Sequence, residues 1–207
     1  MEGAMSYIVC GWYTPSYAHW LPALETSLAM VGAPHDFVQV AVTENGWEKT
    51  TMRKAAEVRA ALDRHPNKTV IFIDVDCTVK GDLQGLASID GDVGFYIRTR
   101  FRKNGTPKLG VRSGTLVFRP VERARRFVDA WIAEGTQAGP YSVDQDSLMV
   151  AMGRVAGLTI TTIGVEYCAT EGDLCPNPII YHDRASRNVA KAGAASRFFS
   201  QWMKPRK

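Results

Sequence analysis

No stretch of the 207-residue chain approaches the roughly 20 consecutive apolar residues of a membrane helix. The N-terminus also lacks a basic region followed by an apolar one, so the expectation is a cytoplasmic protein without membrane insertion. Cysteine is scarce: Cys10, Cys77, Cys168 and Cys175 lack the close paired spacing of a zinc site and are too few for a disulfide framework. Reduced thiols are the simple reading. The first strand is followed by no Gly-x-Gly-x-x-Gly turn, and no loop ends in Gly-Lys-Ser/Thr, which argues against dinucleotide oxidoreductases and P-loop kinases. Internal repeats and low-complexity segments are absent too. What remains is an ordinary globular composition, 45% hydrophobic and 22% charged. It suits one domain over residues 1–207, with 1–4 as an appended remnant before a native start at Met5 and 197–207 as a tail.

The feature that stands out is an abrupt change of polarity. Val70, Ile71, Phe72 and Ile73 form the continuous apolar run expected of a strand buried on both faces, and Asp74-Val75-Asp76 follows at once. Residues two apart in extended chain project to the same side, so the two carboxylates converge. Ligands of open α/β sheets bind beyond the carboxyl ends of the strands, and two anions there call for a cation between them. Around this strand the chain alternates: strands at 7–13, 37–42, 93–97, 115–118, 158–163 and 179–181, with helices at 21–31, 50–62, 121–134 and 144–152. Ser142 and Gln145 have the spacing of a capping box at the start of the last helix. Such alternation implies an α/β fold with a mostly parallel central sheet and helices on both faces.

The net charge of +4 is modest but unevenly placed. Arg98, Arg100, Arg102, Lys103, Lys108 and Arg112 fall in one stretch with no acidic residue, which its glycine and proline mark as a loop. Arg197, Lys204, Arg206 and Lys207 close the chain among Phe198, Phe199 and Trp202. Basic segments with aromatics suit polyanions, nucleic acid included, although solvated surface charge reads the same way.

The strand ending Asp74-Val75-Asp76 resembles the Asp-x-Asp element of GT-A-type nucleotide-sugar glycosyltransferases. Trp12-Tyr13-Thr14-Pro15, Lys54, Ser113-Gly114-Thr115-Leu116, Asp144-Gln145, Glu166-Tyr167-Cys168 and Tyr181-His182 through Ala185-Ser186-Arg187 resemble, in order, further segments of small bacterial and phage enzymes of this type. The resemblance implies a Rossmann-like GT-A fold and a nucleotide-sugar donor, most commonly a UDP-sugar. It implies Mn²⁺ or Mg²⁺ held by Asp76 and His182, with Asp74 on the ribose or a metal-bound water. Trp12, Tyr13 and Thr14 would meet the nucleotide base. Ser113 and Gly114 would bring backbone to the donor sugar, and Lys54 with an arginine would face the diphosphate. Asp144, with Asp146 as the close alternative, would touch the reacting sugar or activate the acceptor hydroxyl; Tyr167 and Arg187 are lesser candidates. Arg98, Arg100, Arg102 and Lys103 would contact a polyanionic acceptor such as modified DNA.

Two rival readings use the same residues. Four apolar residues followed by Asp74-x-Asp76-x-Thr78 also resemble the first motif of haloacid-dehalogenase-type phosphatases, with Asp74 as nucleophile and Asp76 as general acid. Against this, the motif lies after two β-α units, and neither Asp92 nor Asp173 is followed by a partner carboxylate. A non-catalytic nucleic-acid binder would use the basic stretch and tail, and leaves the aspartate pair without a role.

Overall fold

The computed structural model describes residues 6–41, 47–139 and 142–183. A six-stranded sheet in the order β2-β1-β3-β6-β5-β7 forms the centre. Its strands are β1 (Tyr7–Tyr13), β2 (His35–Gln39), β3 (Thr69–Ile73), β5 (Val93–Phe101), β6 (Pro107–Phe118) and β7 (Ile160–Thr162). β1 runs parallel to β2 and β3, and β5 parallel to β7, while β6 lies antiparallel to both β3 and β5. The sheet is therefore mixed. A second, three-stranded sheet is built from β4 (Cys77–Val79), β8 (Ala169–Thr170) and β9 (Ile180–His182), with β9 in the middle.

Period-two alternation divides the central strands between two apolar layers. Cys10, Val70, Phe72, Leu116 and Phe118 face one way, with Val58 and Leu62 of α3 (Lys54–Arg64), Phe127 and Trp131 of α5 (Glu122–Thr136), and Leu148 of α6 (Asp144–Ala151). Val9, Ile71, Ile73 and Val117 face the other way, against Leu24 and Leu28 of α1 (Leu21–Met30) and Leu86 of α4 (Gln84–Ala87). All five residues of β3 are buried, Thr69 and then the apolar run Val70–Ile73. Among the described residues no helix is long and apolar enough to cross a membrane.

Three local expectations change. The helix expected over 50–62 is two helices, α2 (Trp47–Met52) and α3, broken at Arg53, whose guanidinium donates to the Ala41 carbonyl at 2.9 Å. The basic stretch is no loop: β5 and β6 pair as a long hairpin from Val93 opposite Phe118 out to Phe101 opposite Pro107. Ser142 is not the cap of α6. Val143 is, and the Asp146 carboxylate accepts its backbone N–H at 3.2 Å, so only the returning half of the box forms.

Asp92, just before β5, staples the far end of the sheet. Its buried carboxylate accepts from Arg123 Nε at 2.8 Å, Thr159 N at 2.9 Å and Thr159 Oγ1 at 2.8 Å, tying α5 and β7 to β5. The Arg123 guanidinium and the Thr159 donors hold its pKa down to about 2. A carboxyl lowered on folding stabilises above its unfolded pKa and loses that contribution as pH falls through the folded value. Asp92→Asn is therefore expected to cost about 2 kcal/mol at neutral pH. In urea unfolding, the gap from wild type should close between about pH 4 and pH 2, where the wild-type carboxyl protonates.

Candidate active site at the carboxyl ends of β1 and β3

β1 and β3 run parallel and end side by side, and the chain leaving each of them lines one cleft. Trp12, Tyr13 and Thr14 come from the first, Asp74, Val75 and Asp76 from the second, Ser113 from β6, and Asp144 with Gln145 from α6. Lys54, the first residue of α3, closes the floor. Parallel strands ending together leave this crevice because the helices pack on the faces and not on the ends.

The turn after β3 is held from two sides. The Asp74 N–H donates to the Gly114 carbonyl at 3.0 Å, and the Asp183 N–H donates to the Asp76 carbonyl at 2.9 Å. This brings β9, and with it His182, under the aspartates: His182 pairs with Cys77 in the β4–β9 register. Ligand atoms of Asp76, Cys77 and His182 all lie within 4.8 Å of one another. Gly114 makes the approach feasible, because a Cβ there would fall 2.6 Å from His182 Cε1, 2.8 Å from its Nδ1 and 3.4 Å from Asp74 Oδ2.

The charges around this point are strongly coupled. Lys54 is buried, with Nζ 2.8 Å from Asp74 Oδ1 and 3.2 Å from Asp144 Oδ2, and it donates to the Ser113 carbonyl at 3.1 Å. Burial opposes its charge, but the two carboxylates outweigh that and push its pKa up. Burial moves the Asp74 carboxyl up to about 6, with Lys54 pulling it down and Asp76 pushing it up. Burial likewise holds His182 down to about 3, with the Lys54 and Arg112 charges acting in the same direction, so its ring is neutral. Thr115 Oγ1 lies 3.0 Å from Nε2, and Cys77 Sγ lies 3.1 Å from Nδ1. The Cys77 thiol is itself raised by burial and by the aspartates, which keeps it protonated and a poor ligand.

This donor set fits a divalent cation. Asp76 supplies hard oxygens with Asp74 alongside, a neutral buried imidazole supplies nitrogen, and the lack of a Cβ at Gly114 makes room for that ring. The imidazole suits Mn²⁺ better than Mg²⁺, which prefers oxygen alone.

Most of the sequence candidates meet here. Trp12, Tyr13, Thr14, Lys54, Asp74, Asp76, Ser113 and Asp144 line the cleft, with Gly114 and His182 behind them. Lys54 is already paired with Asp74 and Asp144 instead of presenting a lone cation. Asp146 is exposed and spent on capping α6, so Asp144 is the carboxylate of the pair that reaches the cleft. Asp144 Oδ2 is buried against Lys54 Nζ at 3.2 Å, while the residue also lines the cleft. Tyr167 stands outside the cleft, packing in the second apolar layer with its hydroxyl over Gly85. Arg98, Arg102 and Lys103 belong to the β5–β6 hairpin and do not line the cleft; Arg100 belongs to it by its backbone pairing. Arg112 is locked in a two-pronged pair with Asp173, 2.7 Å at Oδ1, and donates to the Cys168 carbonyl at 2.7 Å. Arg187 and the basic tail lie outside the described residues.

Tyr17, Thr50 and Thr51 also line the cleft and carried no sequence signal. Asp76 and Asp74 both raise the Tyr17 pKa, secondary to burial, so the carboxylates act on its phenol.

No family model matches the sequence, and neither does any curated protein. Solved structures do. A glycosyltransferase involved in glycosylating the major capsid of PBCV-1 is similar with a TM-score of 0.63 at 12% identity, covering 90% of this chain and 98% of that one. The apo form of the glycosyltransferase GlyE of Streptococcus pneumoniae TIGR4 gives 0.59 at 12% identity, over 97% of this chain and 64% of its own. The galactosyltransferase LgtC, solved with donor and acceptor sugar analogues, gives 0.52 at 12% identity over 90% and 95%. A mixed six-stranded sheet flanked by helices, shared with these glycosyltransferase structures, gives the chain a GT-A-type fold.

Proposed function

We propose that the chain is a divalent-metal-dependent glycosyltransferase that moves a sugar from a nucleotide-sugar donor to a hydroxyl acceptor. The observation that carries this reading is the cluster of Asp76 with neutral His182, whose ring packs under Gly114 beside Asp74, just behind a cleft that Asp74 and Asp76 line together with Trp12 and Tyr13. A bound Mn²⁺ or Mg²⁺ supplies Lewis acidity, which stabilises charge on a departing diphosphate. Asp76 and His182 would hold it, with Asp74 beside them. Trp12 and Tyr13 offer flat surfaces for a nucleobase, and Thr14 a hydroxyl at the same strand end. Asp144 lines the cleft, which suits contact with a sugar hydroxyl or with the hydroxyl that attacks. Lys54 positions Asp74 and Asp144; its charge is matched by theirs, so it adds little net attraction for a diphosphate.

The phosphatase reading places a nucleophile at Asp74, but Lys54 Nζ holds Asp74 Oδ1 at 2.8 Å and the cleft floor offers an imidazole where that chemistry needs further carboxylates. The two readings part in one assay. Thermal shift against UDP, GDP, CDP and ADP with Mn²⁺ should show stabilisation, greatest with UDP. Metal-dependent release of nucleoside diphosphate from the matching nucleotide sugar should follow. Hydrolysis of an aryl phosphate without nucleotide-sugar turnover would overturn the proposal in favour of the phosphatase.

A further inference from the structure

The cleft leaves the most charged part of the chain without a role. β3 pairs with β6 only from Thr115 onward, and β7 pairs with β5 only as far as Phe95. Beyond those points only β5 and β6 pair, through six further pairs from Tyr96 opposite Arg112 to Phe101 opposite Pro107. At roughly 3.3 Å per residue these span about 20 Å, with the base at 110–112 still buried and 101–109 exposed. Two-stranded ribbons are marginal by themselves in water, but this one is anchored and its tip is shaped. At its base Arg112 is clamped by Asp173 and lies 5.2 Å from the Tyr96 ring centroid. At its tip Arg102 N–H donates to the Thr106 carbonyl at 2.9 Å, Asn104 Oδ1 accepts from Thr106 N and Oγ1, and Gly105 takes φ +79°.

Residues 101–109 are all exposed. The sequence carries no acidic residue from 93 to 119. None of the ion pairs among the described residues involves Arg102, Lys103 or Lys108. Between these cations stand Phe101, 74% exposed, and Leu109, 59% exposed. Opposite residues of an antiparallel pair share a face, so Phe101 and Leu109 continue outward the apolar stripe of Ile97 and buried Val111.

Resting on the transferase reading, we propose that this ribbon is the docking surface for duplex DNA that carries the acceptor. A major groove about 12 Å wide admits a two-stranded β-ribbon, and regularly spaced phosphates match a cation row with no anion in it. Phe101 offers a ring to a base, and Leu109 an apolar contact to a thymine methyl. A bilayer would need a broader apolar face than two side chains supply. The placement also serves catalysis: β6 leads from the ribbon, through a break in its pairing with β5, to Ser113 at the cleft, so one strand links the proposed DNA contact to the proposed donor site.

The test is binding of the full chain to a fluorescent duplex of about 20 base pairs, followed by anisotropy across a salt series. Arg102→Ser, Lys103→Ser and Lys108→Ser together remove three phosphate contacts, so the slope of log affinity against log salt should become shallower by about 2.7. Affinity at low salt should fall at least about tenfold. Nucleoside diphosphate release from the donor in the absence of DNA should be unchanged, because none of the three lines the cleft. A variant with the wild-type slope overturns the proposal, and so does tighter binding of the ribbon to anionic phospholipid vesicles than to the duplex. Absence of DNA binding in a chain that turns over donor also overturns it. Ribbon-dependent DNA binding without any donor turnover would support the docking surface while removing the transferase reading beneath it.

Discussion

Asp76→Asn is expected to abolish nucleotide-sugar turnover while leaving the fold in place. Its carboxylate is 8% exposed and shares a 4.8 Å cluster with His182, so a cation held there loses its one anionic ligand within that cluster. Lewis-acid stabilisation of a leaving group supplies several kcal/mol of barrier lowering, which places the expected loss at a thousandfold or more, by roughly 1.4 kcal/mol per tenfold. The fold should survive because the Asp76 backbone carbonyl still accepts from Asp183 N–H at 2.9 Å, and asparagine keeps nearly the same volume. Removing one of two neighbouring anions also relieves repulsion on Asp74. Turnover by nucleoside diphosphate release, Mn²⁺ affinity by electron paramagnetic resonance and melting by circular dichroism separate the effects. Wild-type rates in a well-folded variant would remove the metal from the mechanism.

Asp76 was legible because its signal is local: a strand buried on both faces can end in paired carboxylates only where something answers the charge. His182 was different. Its place under the aspartates depends on β9 pairing with β4, a contact made 105 residues away in the chain between three-residue strands too short to show periodicity. Its position at the end of the 179–181 strand and the resemblance to a known family pointed to it. Tyr17 escaped for a similar reason, since it sits in a 3-10 turn (Pro15–Trp20) where no repeat marks a face. The hairpin was missed although its pattern was present. Ile97, Thr99 and Phe101 alternate with Arg98, Arg100 and Arg102 at the period of a strand, but the charge and the nearby Gly105 and Pro107 read as loop. A ribbon that leaves its sheet can carry cations at alternate positions because water replaces the core on that side. The break at Arg53 had no glycine or proline to announce it, yet it sets where α3 begins and so where Lys54 points.

Lys54→Met is the substitution expected to cost the most stability. In the wild type one buried ammonium answers two carboxylates, Asp74 at 2.8 Å and Asp144 at 3.2 Å, and also donates to the Ser113 carbonyl. Methionine fills the same volume without charge. Asp144, with only 6% of its side chain exposed, then keeps a charge with no cation beside it or takes up a proton. Removing one partner of a buried pair costs about 3–5 kcal/mol; Asp74, 36% exposed, can turn partly to water, which puts the expected value near about 3 kcal/mol. Donor turnover should fall with it, since both carboxylates lose the group that fixes them. A double-mutant cycle identifies the cause. Lys54→Met combined with Asp144→Asn should recover at least about 1 kcal/mol of the loss in urea unfolding, because it removes the anion that the lysine neutralised. On the proposed role of Asp144 at the reacting sugar, it should recover no activity. Equal stability of Lys54→Met and wild type would show that water, and not Lys54, answers the charge of these aspartates.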